Sequence, residues 1–75
     1  MHAVFIETTE CIYLITASNV TDLLTDITND IMECDSLELI QMHATTNNVF
    51  DELLESKLHT FFSSLKSEKE NQCNQ

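Results

Sequence analysis

Val4-Phe5-Ile6-Glu7-Thr8-Thr9-Glu10-Cys11-Ile12-Tyr13-Leu14-Ile15 is the stretch on which the architecture turns. Two short β-prone apolar runs flank a polar segment, the pattern of a hairpin closed by a turn of about two to four residues. Side chains alternate along a strand, so Tyr13 and Ile15 share one face while Ile12 and Leu14 share the other. Both faces of the second strand are apolar. One can be covered by helices from the same chain, and the other is left for a second subunit or another partner.

A helix follows. Ser18 or Asn19 caps it, with Asp22 placed three residues after Asn19 as a short form of the capping box. Val20, Leu23, Leu24, Ile27 and Ile31 recur at helical intervals and mark its buried stripe, which ends near Glu33 or Cys34. Asp35-Ser36 makes a turn, and Leu37 to His43 reads as a third strand, although Leu, Glu, Gln and Met also suit a continuing helix. Asn47 or Asn48 is expected to cap a second helix whose apolar face comprises Val49, Phe50, Leu53, Leu54, Leu58, Phe61, Phe62 and Leu65.

Beyond Lys66 the periodicity stops. Residues 1–66 are therefore expected to form a single acidic domain, with 67–75 as a flexible polar tail. The fold class is α+β, in the order β-β-α-β-α: a three-stranded sheet with both helices on one face. The first helix would carry a crossover from strand two to strand three, right-handed if those strands are parallel. Thr16 to Asp22 also echoes Thr45 to Asp51 at an offset of 29 residues, compatible with a duplicated strand–cap–helix unit.

Glycine and proline are both absent from the 75 residues. At ordinary usage of about 7% and 5%, that happens roughly once in ten thousand chains of this length. Turns must then be built by Asn, Asp, Ser and Thr, and a glycine-rich phosphate cradle is excluded.

Thirteen carboxylates face three Lys, for a formal net charge of -10, yet 43% of residues are hydrophobic. The chain is thus a folded acidic domain rather than a disordered acidic tail. Such charge repels nucleic-acid backbones and anionic membranes, so neither is an expected direct partner. Three Cys without framework spacing, and an N-terminus without a basic leader, point to a reducing, cytoplasmic setting.

Catalytic and metal-binding signals are poor. His2, His43 and His59 are scattered, and no two Cys have zinc-finger spacing. Cys11 and His43 would form a nucleophile–base pair only if adjacent strands brought them together. The reading is a non-enzyme without cofactor or metal.

The candidate site is acidic. Asp22, Asp26 and Asp30 stand four residues apart, with Glu33 and Asp35 extending the run. At 1.5 Å per residue the three aspartates are about 6 Å apart along the helix, close to the roughly 6–7 Å between neighbouring phosphates of one strand, inferred from duplex charge density. The expected function is an acidic protein-binding inhibitor or regulator, in the form of a nucleic-acid mimic on a basic DNA- or RNA-handling protein. The general character suits a viral or mobile-element factor. The alternative is an interaction or antitoxin-like module that binds through an apolar sheet or helix face, including as a homodimer.

Overall fold

The computed structural model describes residues 1–35 and 37–73, with side chains to residue 71. Ser36 of the expected turn, and the last two residues of the expected tail, lie outside that range. The elements are β1 (His2–Thr8), β2 (Ile12–Ala17), α1 (Val20–Glu33), β3 (Leu39–Thr46), β4 (Val49–Phe50) and α2 (Glu52–Cys73).

The hairpin forms where expected, without glycine. Thr8 ends β1, and its Oγ1 accepts from the backbone N–H of Glu10 at 3.3 Å and of Cys11 at 3.0 Å. The Thr8 N–H donates to the Cys11 carbonyl at 2.8 Å. A hydroxyl thus organises the turn, and no residue in it needs positive φ. Of the two expected caps, Ser18 and Asn19, it is Asn19 that caps α1: its Oδ1 accepts from Asp22 N–H at 2.8 Å, and its Nδ2 donates to the Asp22 carboxylate at 3.0 Å.

The sheet has four strands, not three, in the order β2-β1-β3-β4 with antiparallel neighbours. Val49 and Phe50, expected on the apolar face of the second helix, pair instead with Thr46 and Thr45 as the extra strand. Asn47 and Asn48 do not cap that helix. They hold φ of 53° and 67°, the left-handed pair that closes a tight hairpin matching strand twist. The cap of α2 is Asp51, whose Oδ1 accepts from Leu54 N–H at 3.0 Å and whose carbonyl accepts from Glu55 N–H at 3.0 Å. Asn tolerates positive φ while Val and Phe favour extended backbone, so the hairpin outcompetes a longer helix.

This arrangement breaks the internal echo. Asn19 caps a helix, whereas Asn48, its counterpart, turns a hairpin. β2 and β3 both run antiparallel to β1 and flank it, so α1 links two strands of like direction that do not touch.

Val4, Ile6, Thr8, Ile15, Ala17, Met42 and Ala44 point from one sheet face into a single core with Leu23, Ile27, Ile31, Leu54, Leu58, Phe62 and Leu65. Both helices therefore cover the same face. Each fully buried Ile or Leu is worth about 1.5–3 kcal/mol of transfer free energy, more than any single surface contact here. Leu53 falls off the stripe of α2 and is 78% exposed. The helix continues to Cys73, through the segment expected as a tail. Lys69 in that stretch is tied down, its ammonium donating to the Met32 carbonyl at 3.3 Å and to the Cys34 carbonyl. A cation is thereby placed at the negative end of α1, which has no basic residue in its own last turn.

Candidate functional site

Asp22, Asp26 and Asp30 lie on α1 as expected. Four residues turn a helix through about 400°, so each carboxylate is rotated about 40° from the one before. The row accordingly drifts from the crest of α1 towards the sheet. Asp22 and Asp26 are exposed, and Asp30 is half-buried. Glu33 is exposed at the end of the helix, and Asp35 is exposed in the loop beyond the cap residue Cys34.

Among the described residues no Lys forms an ion pair with any of these five carboxylates. Away from the row, His43 Nδ1 on β3 and Glu55 Oε1 on α2 lie 3.3 Å apart. The Asn19 amide donates to the Asp22 carboxylate, and the Lys69 ammonium, held on the Met32 and Cys34 carbonyls, stands at the Glu33 and Asp35 end of the row.

The drift of the row brings it to the edge of the sheet. β2 is an outer strand, and Asp26, Asn29 and Asp30 face Leu14, Ile15 and Thr16 across an open groove of about 310 Å³. Tyr13 Oη donates to the Asp30 carbonyl at 3.1 Å and holds the helix against the strand. Among the described residues the outward side of β2 has no strand partner, which leaves backbone hydrogen-bonding groups open to an added chain.

The uncovered sheet face is less apolar than the sequence implies. Ile12 and Leu14 stand out from β2 at 66% and 73% exposure. Opposite Leu14 comes half-buried Phe5, and opposite Phe5 comes His43. From there the surface turns polar: Gln41 Nε2 donates to Glu7 Oε1 at 2.7 Å, and Gln41 Oε1 lies 3.1 Å from His43 Nε2. The apolar part on the β2 side is a strip along the same edge that carries the acidic groove. Sequence reading found the carboxylates and the two apolar residues separately. It had no signal for their meeting, because strand order decides which strand is outermost.

The other chemistry considered does not assemble. Cys11 and His43 are separated by β1: Cys11 contacts Cys34 on the core side, while His43 engages Gln41 and Glu55. Among the described residues no three His, Cys, Asp or Glu side chains are grouped to hold a metal ion. No described helix is long and apolar enough to cross a membrane. Comparison with known proteins returns no matching family model, curated protein or solved structure.

Proposed function

We propose that this chain is an acidic protein-binding module, an inhibitor or regulator that docks on a basic protein through the outer edge of α1 and β2. The observation that carries the reading is the shared groove, where Asp26 and Asp30 face the edge strand carrying Leu14 and Thr16. A basic surface neutralises Asp22, Asp26 and Asp30, which pair with no Lys among the described residues, and a net charge of -10 speeds the encounter. The spacing of about 6 Å between Asp22, Asp26 and Asp30 favours a partner site shaped for a phosphate backbone. In its sharper form, then, the proposal is a nucleic-acid mimic on a DNA- or RNA-handling protein.

A second reading is favoured by the exposure of Ile12 and Leu14. Here the strip along β2, not the charge, makes the contact, with another protein or with a second copy of the chain.

Capture on the immobilised chain separates the two. A column of the native sequence and one carrying Asp22→Asn, Asp26→Asn and Asp30→Asn are exposed to the same cell extract, with duplex DNA as the eluting competitor. The first reading expects basic proteins that are displaced by DNA, released between about 50 and 200 mM salt, and missing from the variant column. Equal capture by the variant column refutes it. Salt-resistant capture that is lost with Leu14→Lys and kept by the triple Asn variant establishes the second reading instead.

A further inference from the structure

We infer that Cys11 and Cys34 are a disulfide-forming pair, a modification site that covalently ties the entry of β2 to the end of α1. The inference is independent of the binding surface proposed above. Their sulfurs lie 2.7 Å apart, although the residues are 23 positions apart in sequence. A disulfide bond is about 2.03–2.05 Å long, so closing the pair needs only a small displacement.

The backbone on both sides is independently held. Thr8 Oγ1 accepts from the Cys11 N–H at 3.0 Å, donates to the Cys11 carbonyl at 3.3 Å and lies 3.5 Å from Cys34 Sγ. Cys34 N–H donates to the Ile31 carbonyl at 3.1 Å, and the Lys69 ammonium is bound to the Cys34 carbonyl. The buried hydroxyl of Thr8 thus serves as a hub that touches both cysteines.

The two sites differ in access. Cys11 is half-exposed and Cys34 is buried, so an oxidant reaches Cys11 first and Cys34 resolves the product from inside. With a low-molecular-weight disulfide such as oxidised glutathione, the Cys11 thiolate attacks one sulfur and expels a glutathione thiolate. The Cys34 thiolate then attacks Cys11 Sγ and expels the second. Two protons leave the protein thiols, the Cys11–Cys34 bond forms, and the glutathione disulfide is reduced to two thiols. The balance is complete, and the rate at neutral pH is limited by how much Cys11 is ionised.

The test uses the chain with Cys73→Ser, incubated with oxidised glutathione, acid-quenched, and analysed by intact mass, peptide mapping and thermal melting. The expected product has lost two hydrogens, links Cys11 to Cys34, carries no glutathione, and melts roughly 10–20 °C above the reduced form, because the bridge restricts a long loop in the unfolded chain. A glutathione adduct that persists on Cys11 beside a reduced Cys34 thiol overturns the inference. So does a cross-linked form that melts below the reduced one. The reduced protein is its own reference, so the outcome does not depend on whether a variant at either cysteine folds.

Discussion

The Tyr13 hydroxyl donates a 3.1 Å hydrogen bond to the main-chain carbonyl of Asp30, joining the outermost strand to the helix that carries the acidic row. The bond spans the groove between them, beside the core packing of Ile27 and Ile31 on Ile15 and Ala17. Tyr13→Phe removes it without changing the ring that packs on the core, and is expected to cost about 0.5–1.5 kcal/mol in urea unfolding. A loss near zero would show that packing alone holds α1 on β2.

The same phenol reports on alkaline unfolding. Hydrogen bonding with the Cys11 thiol, and then burial, pushes Tyr13 well above the usual range of tyrosine. A group raised in the folded state contributes stability that is complete below its unfolded pKa of about 10 and is lost as pH climbs from there towards the folded value. The chain has one Tyr and no Trp, so phenolate absorbance is read without interference. Its midpoint is expected above that of the urea-unfolded chain, and stability should fall above about pH 10. Coincident midpoints in the folded and unfolded chain would contradict this.

Asp51 governs the acid side. The Leu54 N–H, and after it the Thr46 hydroxyl at 2.7 Å, hold its carboxyl below the usual range. A lowered acid contributes stability above its unfolded pKa and loses it as pH falls through the folded value. Asp51→Ala is expected to cost about 1 kcal/mol at neutral pH through loss of the cap. Asp51→Asn keeps a capping oxygen, so it should cost less while flattening the fall in stability below about pH 4. Denaturant curves from pH 2 to 7 distinguish the two.

Asp26 sits between two like charges four residues away on either side. Asp26→Lys converts both repulsions into attractions and is expected to stabilise the fold by about 0.5–1 kcal/mol at low ionic strength. The gain should largely vanish near 1 M salt, where screening acts over about 3 Å. If the variant is stabilised yet no longer captures the partner, fold and binding are separated at one residue. If it is destabilised at low salt, the row is not under electrostatic strain.

Asn48 holds φ of 67° at the tip of the β3–β4 hairpin. Gly reaches that conformation without penalty, so Asn48→Gly should be neutral or stabilising by up to about 1 kcal/mol, whereas Asn48→Ala should cost about 1 kcal/mol. Thermal melts of the pair check it. Asn47 is a poorer position for this comparison, because its Oδ1 also accepts from the N-terminal ammonium at 2.8 Å and its N–H donates to the Met1 carbonyl at 2.9 Å.

Local chemistry was legible. The first hairpin, the Asn19 cap, the extent of α1 and the alternation of β2 all follow from short-range preferences that nothing distant overrides. Val49-Phe50 was misread for an instructive reason. Two apolar residues ahead of a helical stripe fit the stripe's period equally well as helix or strand, and only the edge of β3 supplies the partner that makes them a strand. Lys69 is the parallel case in α2: its local surroundings are polar and aperiodic, and what it binds is a helix end 35 residues away in sequence.

By itself, the order of residues determined the first hairpin, the extent of α1 and the four-residue spacing of its aspartates, because helical period, strand alternation and charge are written within a few neighbours. Tertiary structure alone decided that β2 lies outermost, that the aspartate row descends onto its edge beside Leu14, and that Cys11 meets Cys34. Those are relations between segments more than 10 residues apart, up to 44 for the β1–β3 pairing, set by strand order and by the way α1 lies across the core, and no local pattern encodes them.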